Sequence, residues 1–270
     1  RRVMKRFTAV LVVCLFTVSA TGAQEKSVRP GINQPFENPD LKDFLQKFEG
    51  ESREIAAHTK EIVAACKLKP GMKIADVGAG TGLFTRKFAP LVGEEGKVIA
   101  VDIAPTFLRY IEKTCKENKI KNVETLLCDQ FSTKLPKNSV DLVFICDTYH
   151  HFEFPQKTLQ SIYDALRPGG QIILIDFHRI KGKSSDWVMG HVRAGQEVFV
   201  REILAAGFRK VGEEKLLKEN YFVRFEKKEN QIEPNHRGLP YVEPKNESAV
   251  TSLCVTAKQF AACSSPASER

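Results

Sequence analysis

The usual metal-binding patterns are absent from this 270-residue sequence. Its seven cysteines form no CxxC pair, and no HxxxH spacing places two histidines on one face of a helix. Zinc sites that can be read from a sequence usually show such spacings. The sequence therefore predicts no metal. Four cysteines fall inside apolar helical or strand patterns, where a small buried thiol is the expected role: Cys66, Cys115, Cys128 and Cys146.

A basic surface of the kind that binds nucleic acid is also missing. The formal charge is +8, but four basic residues precede an apolar run within the acid-free residues 1–23. The remaining chain holds 37 basic and 33 acidic residues, with no basic stripe interleaved with aromatic side chains. This near balance argues against nucleic-acid binding and leaves a small molecule as the expected partner.

No apolar run reaches the roughly 20 residues that a membrane-spanning helix needs. The run AVLVVCLFTVSA (residues 9–20) follows Arg1, Arg2, Lys5 and Arg6 and precedes small residues. This order is typical of a secretory signal peptide, which we place at residues 1–23, and it predicts export to the periplasm or the exterior. An uncleaved anchor that holds a cytoplasmic domain near the membrane is the alternative.

The rest of the chain divides by composition into three parts. Residues 24–39 are polar with three prolines and are interpreted as a linker. Residues 40–228 form the predicted domain, and the polar, proline-containing residues 229–270 are interpreted as a largely disordered tail.

Short apolar runs alternate with helical patterns through the predicted domain. The predicted helices include REIAAHTKEIVAAC (residues 53–66), LFTRKFAPLV (residues 83–92) and KTLQSIYDALRPGG (residues 157–170), the last closed by Pro-Gly-Gly. MKIADVG, KVIAVDI, NVETLLCD, SVDLVFICDTY and QIILIDF are predicted strands, and two more strands with a turn near Glu219 close the region. Helices between strands imply right-handed crossovers and a parallel sheet covered on both faces. The fold class is therefore α/β: a Rossmann-like, mostly parallel seven-stranded sheet with helices on both faces and a C-terminal antiparallel β-hairpin.

The first strand ends in the glycine-rich turn ADVGAGTG (residues 75–82). Glycines at Gly78, Gly80 and Gly82 allow positive φ angles and a close approach of a ligand to the backbone. Acidic residues close the next two strands at Asp102 and Asp129. A glycine turn opening a helix, with strand-end carboxylates beside it, indicates a nucleoside-type cofactor.

With these motifs the chain resembles the class I S-adenosylmethionine-dependent methyltransferases over residues 40–227. The resembling segments are ADVGAGTG, VIAVDI, LLCDQ, VDLVFICD and LRPGGQIILIDF, and the resemblance is nearest to small-molecule enzymes of the quinone-methyltransferase type. It implies S-adenosylmethionine as cofactor, held by the glycine turn and the strand ends. The cofactor-binding residues that it implies are Asp76, Gly78, Ala79, Gly80, Gly82, Asp102, Ile103, Asp129, Gln130 and Asp147.

The segment CDTYHHFEFP (residues 146–155) follows the fourth strand and is expected to face the transferred methyl group. Candidate catalytic residues are Tyr149, His150 and His151. One histidine would act as a base or orient the acceptor, since imidazole titrates near neutral pH. Alternatively, one histidine caps the next helix and Tyr149 forms a wall of the pocket.

The predicted function is methyl transfer to a small-molecule acceptor by in-line displacement. A non-catalytic S-adenosylmethionine-binding protein is one alternative. An NAD-dependent oxidoreductase is a weaker one, because Leu83 stands where the G-x-G-x-x-G pattern has its third glycine. The sequence indicates no oligomeric state.

Overall fold

A single seven-stranded sheet forms the centre of the molecule in a computed structural model, which describes residues 24–50 and 53–228. The spatial order of the strands is β3-β2-β1-β4-β5-β7-β6. Strands β1 to β5 pair in parallel, and β7 runs antiparallel between β5 and β6. The predicted sheet and its closing hairpin are confirmed. The strands are β1 Lys73–Val77, β2 Lys97–Asp102, β3 Val123–Leu127, β4 Val140–Cys146, β5 Leu166–Phe177, β6 Phe208–Glu214 and β7 Asn220–Lys227.

Eight α-helices and two short 3₁₀ turns surround the sheet in the described part of the chain. The 3₁₀ turns are Gln34–Phe36 and Tyr149–His151. The helices are α1 Leu41–Glu49, α2 Glu54–Ala57, α3 Thr59–Ala65, α4 Leu83–Val92, α5 Pro105–Glu117, α6 Pro155–Ala165, α7 Asp186–His191 and α8 Gln196–Ala205.

Both faces of the sheet are covered, because successive strand residues point to opposite sides. On β4, Val143 and Ile145 belong to one buried cluster, which also contains apolar residues of α6 and α8. Leu142 and Phe144 belong to a second cluster, which contains residues of α3 and α4. The continuous apolar runs of the parallel strands reflect burial on both sides.

Two helix boundaries differ from the sequence prediction. REIAAHTKEIVAAC was read as one helix, but it breaks at His58 into α2 and α3. The Thr59 hydroxyl donates to the carbonyl oxygens of Ile55 and Ala56, a side-chain contact that competes with regular helix bonding. The Pro-Gly-Gly segment after α6 was read as a helix end, but β5 begins at Leu166, which pairs with Val140.

The predicted linker, residues 24–39, packs on the domain. The Val28 amide donates to the Glu153 carbonyl (2.9 Å), and Arg29 Nη2 donates to the Gly190 carbonyl (2.7 Å). Asn33 Nδ2 donates to the His151 carbonyl (3.1 Å). These contacts correct the linker interpretation, since the segment is part of the folded surface. Its polar sequence reflects hydrogen bonding to neighbouring loops.

The predicted signal peptide (1–23) and the predicted tail (229–270) lie outside the described residues and stay predictions. Within residues 24–50 and 53–228, no helix combines the length and apolar character needed to cross a bilayer.

Candidate active site

A cavity of about 690 Å³ lies along the carboxyl ends of the parallel strands. Each of these five strands contributes a residue at or just beyond its last position: Val77, Asp102, Cys128, Asp147 and Phe177. Open α/β sheets bind ligands at this edge, where loops and helix N-termini converge. The volume falls in the range of small-molecule pockets, about 300–1,000 Å³.

The glycine turn lines this cavity with main chain. Gly78 (φ +72°) and Gly80 (φ +53°) both face it. A Cβ added to Gly78 would lie 2.2 Å from Thr148 Cγ2, and one added to Gly80 would lie 3.0 Å from the Phe48 ring. The backbone conformation and the close neighbours therefore both require glycine here.

Gly82 and Ala79 were also predicted to bind the cofactor, but the structure places them outside the cavity lining. Gly82 (φ +81°) is the N-cap of α4, and an added Cβ would lie 2.7 Å from Ile111 Cγ1. Ala79 packs against the buried cluster of Ala100, Ile111 and Cys115. Both residues shape the turn.

Asp102, at the end of β2, lines the cavity together with Ile103. Its two carboxylate oxygens accept hydrogen bonds from the Gly80 and Ala104 amides, each 2.8 Å long. Burial raises the pKa of Asp102 from 3.8 to about 6, and these hydrogen bonds oppose the rise. Each oxygen keeps a further lone pair that can accept a hydrogen bond from a ligand hydroxyl.

Asp76 was predicted to bind the cofactor, but it is not among the residues that line the cavity. Asp76 Oδ2 accepts a 2.6 Å hydrogen bond from the Thr85 hydroxyl in α4. The residue is 3% exposed, and burial raises its pKa from 3.8 to about 6. The arrangement ties β1 to α4.

Asp129 and Gln130, two of the residues predicted to bind the cofactor, both line the cavity beyond β3. Asp129 Oδ1 accepts hydrogen bonds from the Phe131 and Ser132 amides, and Lys134 Nζ lies 3.3 Å from Oδ2. These partners lower the pKa of Asp129 although partial burial opposes them. The carboxylate therefore stays charged beside the cavity.

Asp147 lines the cavity directly after β4 in an unusual backbone conformation, with φ at +48°. Arg53 Nη2 lies 2.5 Å from Asp147 Oδ2, and Asn220 Nδ2 lies 2.5 Å from Oδ1. Burial raises the pKa of Asp147, and the Arg53 charge opposes the rise. Positive φ at a residue other than glycine stores strain, which persists where surrounding contacts fix it.

His150 and His151 both line the cavity, on the 3₁₀ turn after β4. His150 Nδ1 lies 2.8 Å from Asp176 Oδ1, and its main-chain amide donates to Asp176 Oδ2 (3.1 Å). Asp176 is fully buried in β5. Burial, followed by the influence of His150, His191 and Arg29, lowers the pKa of His151 to about 2. His151 is therefore neutral at physiological pH.

Tyr149, the third candidate catalytic residue, points away from the cavity. It is fully buried, and its hydroxyl donates a 2.9 Å hydrogen bond to Glu202 Oε2. Burial raises the pKa of Tyr149 well above 10, and Glu202 adds to the rise. This tyrosine anchors the 3₁₀ turn on α8.

Two features of the site were not predicted from the sequence. The first is the aromatic wall: the rings of Phe36, Phe44 and Phe48 come from the N-terminal segment and meet Phe107 of α5. The second is the set of partners around the histidines. Asp176 holds His150 from outside the cavity lining and lies one residue before the end of β5, so its place near a strand end was a usable signal. No spacing in the sequence indicated that His191 lies beside His151.

The lining fits S-adenosylmethionine by the chemistry of its donors. Gly78 and Gly80 bring main chain to the cavity wall, and the carboxylates of Asp102, Asp129 and Asp147 suit hydroxyl, amino and sulfonium groups. The aromatic wall of Phe44 and Phe48 adds π faces, which attract cations.

Comparisons with known proteins agree with this geometry. The family described as "Methyltransferase domain" matches residues 68–226, more than half of the chain. The chain is 31% identical over 133 residues to the ubiquinone/menaquinone biosynthesis C-methyltransferase UbiE of Pseudoalteromonas translucida, which covers 47% of this chain and 53% of that protein. UbiE of Shewanella frigidimarina is 32% identical over 139 residues, or 51% and 54% of the two chains. The chain thus spans about half the length of these relatives.

A solved structure of a SAM-dependent methyltransferase from Aquifex aeolicus has the same fold. Its TM-score is 0.62 at 23% identity, and the match covers 70% of this chain and 99% of that one. The family match spans most of the sheet, including the glycine turn and the strand ends that line the cavity. The chain belongs to the methyltransferase domain family.

Proposed function

We propose that this protein transfers the methyl group of S-adenosylmethionine to a small hydroxylated aromatic acceptor. The observation that carries the proposal is a single cavity with two kinds of lining. Gly78, Gly80 and Asp102 line it, and so do His150, His151 and a set of aromatic rings. One cavity can therefore hold donor and acceptor next to each other.

The donor side follows from the family and from the strand ends. Gly78 and Gly80 would contact the amino-acid part of the cofactor, and Asp102 would accept hydrogen bonds from the ribose hydroxyls. Asp129 and Gln130 would bound the adenine. Methyl transfer from a sulfonium is an in-line displacement, so holding the two reactants in line supplies most of the acceleration.

The acceptor side is rich in aromatic side chains and has one well-held imidazole. Phe152, Phe177 and Trp187 line it, and such faces suit a flat apolar molecule. The Asp176 carboxylate fixes the His150 ring through Nδ1, which leaves Nε2 for an acceptor hydroxyl. His151 is a weak base, because its pKa is about 2. The base or orienting role therefore falls to His150.

The relatives support the acceptor class without defining it. The similar proteins of Pseudoalteromonas and Shewanella are C-methyltransferases of quinone biosynthesis, and a quinol is a hydroxylated aromatic. The chain matches only about half of their length. We therefore propose the chemical class, with quinol-type rings as its first members.

Calorimetry and turnover together test the proposal. S-adenosylmethionine and S-adenosylhomocysteine should bind, whereas NAD should not. Labelled methyl groups should then pass to members of a panel of quinols and phenols, and His150→Gln should lower kcat more than it changes the affinity for cofactor. Tight cofactor binding with no methyl transferred to any panel member would favour the non-catalytic alternative, and binding of NAD alone would favour the oxidoreductase.

We also propose that residues 1–23 direct export of the chain. The basic start and the apolar stretch at residues 9–20 support this assignment. N-terminal sequencing of the protein recovered from each cell fraction tests it. A mature chain that begins near residue 24 outside the cytoplasm is expected, and an intact N-terminus in the membrane fraction would support the anchor instead.

A further inference from the structure

Three histidine side chains converge at one end of the cavity although the sequence shows no metal motif. His150 and His151 lie on the 3₁₀ turn after β4, and His191 ends α7 forty residues later. One ring nitrogen from each of them lies within 4.8 Å of the other two. All three residues line the cavity.

The spacing of two of these nitrogens matches that of ligands on one ion. His151 Nε2 and His191 Nε2 are 3.3 Å apart. Two imidazoles bound tetrahedrally to zinc at about 2.0–2.1 Å have nitrogens about 3.3 Å apart. The wider spacings to His150 would have to shorten on binding. Rotation of the rings about their side-chain torsions can supply that change.

The contacts around the three histidines resemble those around the ligands of metal sites in proteins. The Nδ1 of His150 is held by the buried Asp176 carboxylate, so Nε2 is its available ligand atom. Carboxylates that hold the second nitrogen of a ligand histidine fix its orientation and raise its basicity. His151 Nδ1 is buried near the Ile32 main chain without a hydrogen bond of normal geometry. Trp187 stacks on the His191 ring, with centroids 4.5 Å apart.

Charge near the cluster is mixed. Arg29 helps to lower the pKa of both His151 and His191, for which burial is the main cause, so it would also repel a cation. Metal ligation needs neutral imidazole. The Asp176 carboxylate supplies the compensating negative charge on the His150 side.

We propose that His150, His151 and His191 bind a divalent transition-metal ion, zinc first, with its open coordination position facing the cavity. Three imidazoles suit zinc, cobalt, nickel and copper, whereas magnesium and calcium prefer oxygen ligands. A catalytic zinc site keeps three protein ligands and one exchangeable position. That position would take the oxygen donor of the acceptor. With the ion bound, His150 Nε2 would be a ligand, so His150 would act on the acceptor through the ion and not as a base itself. This last point rests on the proposed function; the ion site itself does not.

Metal binding is measured on the full chain without cofactor or acceptor, so its result is independent of the methyl-transfer proposal. After removal of metals with a chelator, calorimetry and elemental analysis should find about one zinc ion per chain that wild type binds and His191→Gln does not, because three histidines form one site. His58→Gln is the matched control, since His58 is a half-exposed histidine outside the cavity. Residues 229–270, with their own histidine and cysteines, are present in all of these variants.

Two further measurements make the test more specific. Asp176→Asn should weaken zinc binding by about 10- to 100-fold, the usual effect of removing the partner of a ligand histidine. Cobalt bound in place of zinc should give intense visible bands of four-coordinate geometry, which should shift when azide fills the open position. The far-UV circular dichroism of His191→Gln should match wild type, so a loss of binding would not reflect unfolding.

Two results would overturn the proposal. One is a wild-type chain that binds neither zinc nor cobalt. The other is binding that His191→Gln and His58→Gln leave equally intact. In either case the 3.3 Å contact between His151 and His191 would be an ordinary imidazole hydrogen bond.

Discussion

Two glycines near β1 are constrained differently by backbone conformation and by close packing. Gly78 and Gly71 both have positive φ, at +72° and +82°. A Cβ on Gly71 would meet no atom within 4 Å, whereas one on Gly78 would overlap Thr148. Alanine substitutions at the two glycines therefore separate the cost of backbone strain from the cost of a steric clash.

Gly78→Ala is expected to abolish or strongly weaken S-adenosylmethionine binding, and Gly71→Ala is expected to leave it unchanged. Both variants should lose stability, because positive φ costs about 1–3 kcal/mol for a residue with a Cβ. Calorimetry with the cofactor and urea unfolding measure the two effects. Equal cofactor affinity in the two variants would show that the turn does not contact the ligand.

Buried carboxylates make stability depend on pH in an uncommon direction. The pKa of Asp76 rises from 3.8 to about 6 on folding, mainly through burial. Between these values the folded chain binds more protons than the unfolded chain. The free energy of unfolding contributed by this group is therefore highest below pH 4 and falls as the pH rises through 6.

Asp76→Asn should flatten the pH dependence of the unfolding free energy between pH 4 and 6. One group contributes at most about 1.4 kcal/mol per pH unit there. Asp129→Asn is the control, because the pKa of Asp129 is lowered and its titration lies below this window. Urea unfolding at several pH values gives both slopes. An unchanged slope in Asp76→Asn would mean that Asp76 keeps its ordinary pKa in the fold.

At the scale of elements, one ion pair joins the N-terminal segment to the centre of the sheet. Arg53 immediately precedes α2 and contacts Asp147 at the end of β4, and the Asp147 side chain is 5% exposed. Without Arg53, the Asp147 carboxylate would keep Asn220 as its hydrogen-bond partner but lose its counter-ion. An unpaired buried charge is costly.

Arg53→Met should therefore destabilise the protein by about 3 kcal/mol, and Arg53→Met combined with Asp147→Asn should recover part of this loss. Lys97→Met breaks a more exposed pair with Glu124 and should cost less than about 1 kcal/mol. Urea unfolding of these three variants and of wild type gives the comparison. A double variant no more stable than Arg53→Met would show that the charge on Asp147 is not what destabilises the single one.

The elements themselves were more predictable than their contacts. Helix α4 was predicted residue for residue at Leu83–Val92, because Gly82 and Gly93 bracket it and its apolar spacing is regular. The break at His58 was missed, since it depends on a threonine hydroxyl turning back on the chain. The strand start at Leu166 was missed because pairing with Val140 overrides the local preference of Pro-Gly-Gly.

In the site, too, positions along the sequence were more predictable than tertiary contacts. Residues at strand ends, such as Asp102 and Asp129, can be predicted because parallel strands finish at one edge. Asp76 lies one residue before the end of β1, and its side chain turns to Thr85 instead of the cavity. His191 joins His151 only through tertiary structure, so no spacing in the sequence could reveal the pair.

At the scale of the whole molecule, one wall of the cavity comes from the N-terminal segment, which has few buried residues. Helix α1 contains no fully buried residue, and its Phe44 and Phe48 face the cavity. The sheet, by contrast, lies between two buried clusters. A ligand in the cavity would therefore complete the packing of α1 while changing the sheet little.

Saturating S-adenosylmethionine should slow amide hydrogen exchange in α1 and in residues 33–36, with α8 unchanged. Helix α8 packs behind the sheet and contributes no residue to the cavity lining. Hydrogen-exchange mass spectrometry with and without cofactor measures the difference. Unchanged exchange in α1 with cofactor bound would show that this helix does not cover the ligand.

The chain carries one tryptophan, and it stands beside His191 at the rim of the cavity with 57% of its surface exposed. The tryptophan fluorescence of the chain therefore comes from Trp187 alone. Quenching by cobalt or copper, or a spectral shift on adding an aromatic acceptor, would report occupancy of that rim directly. The native chain thus contains its own optical probe, and no label has to be attached.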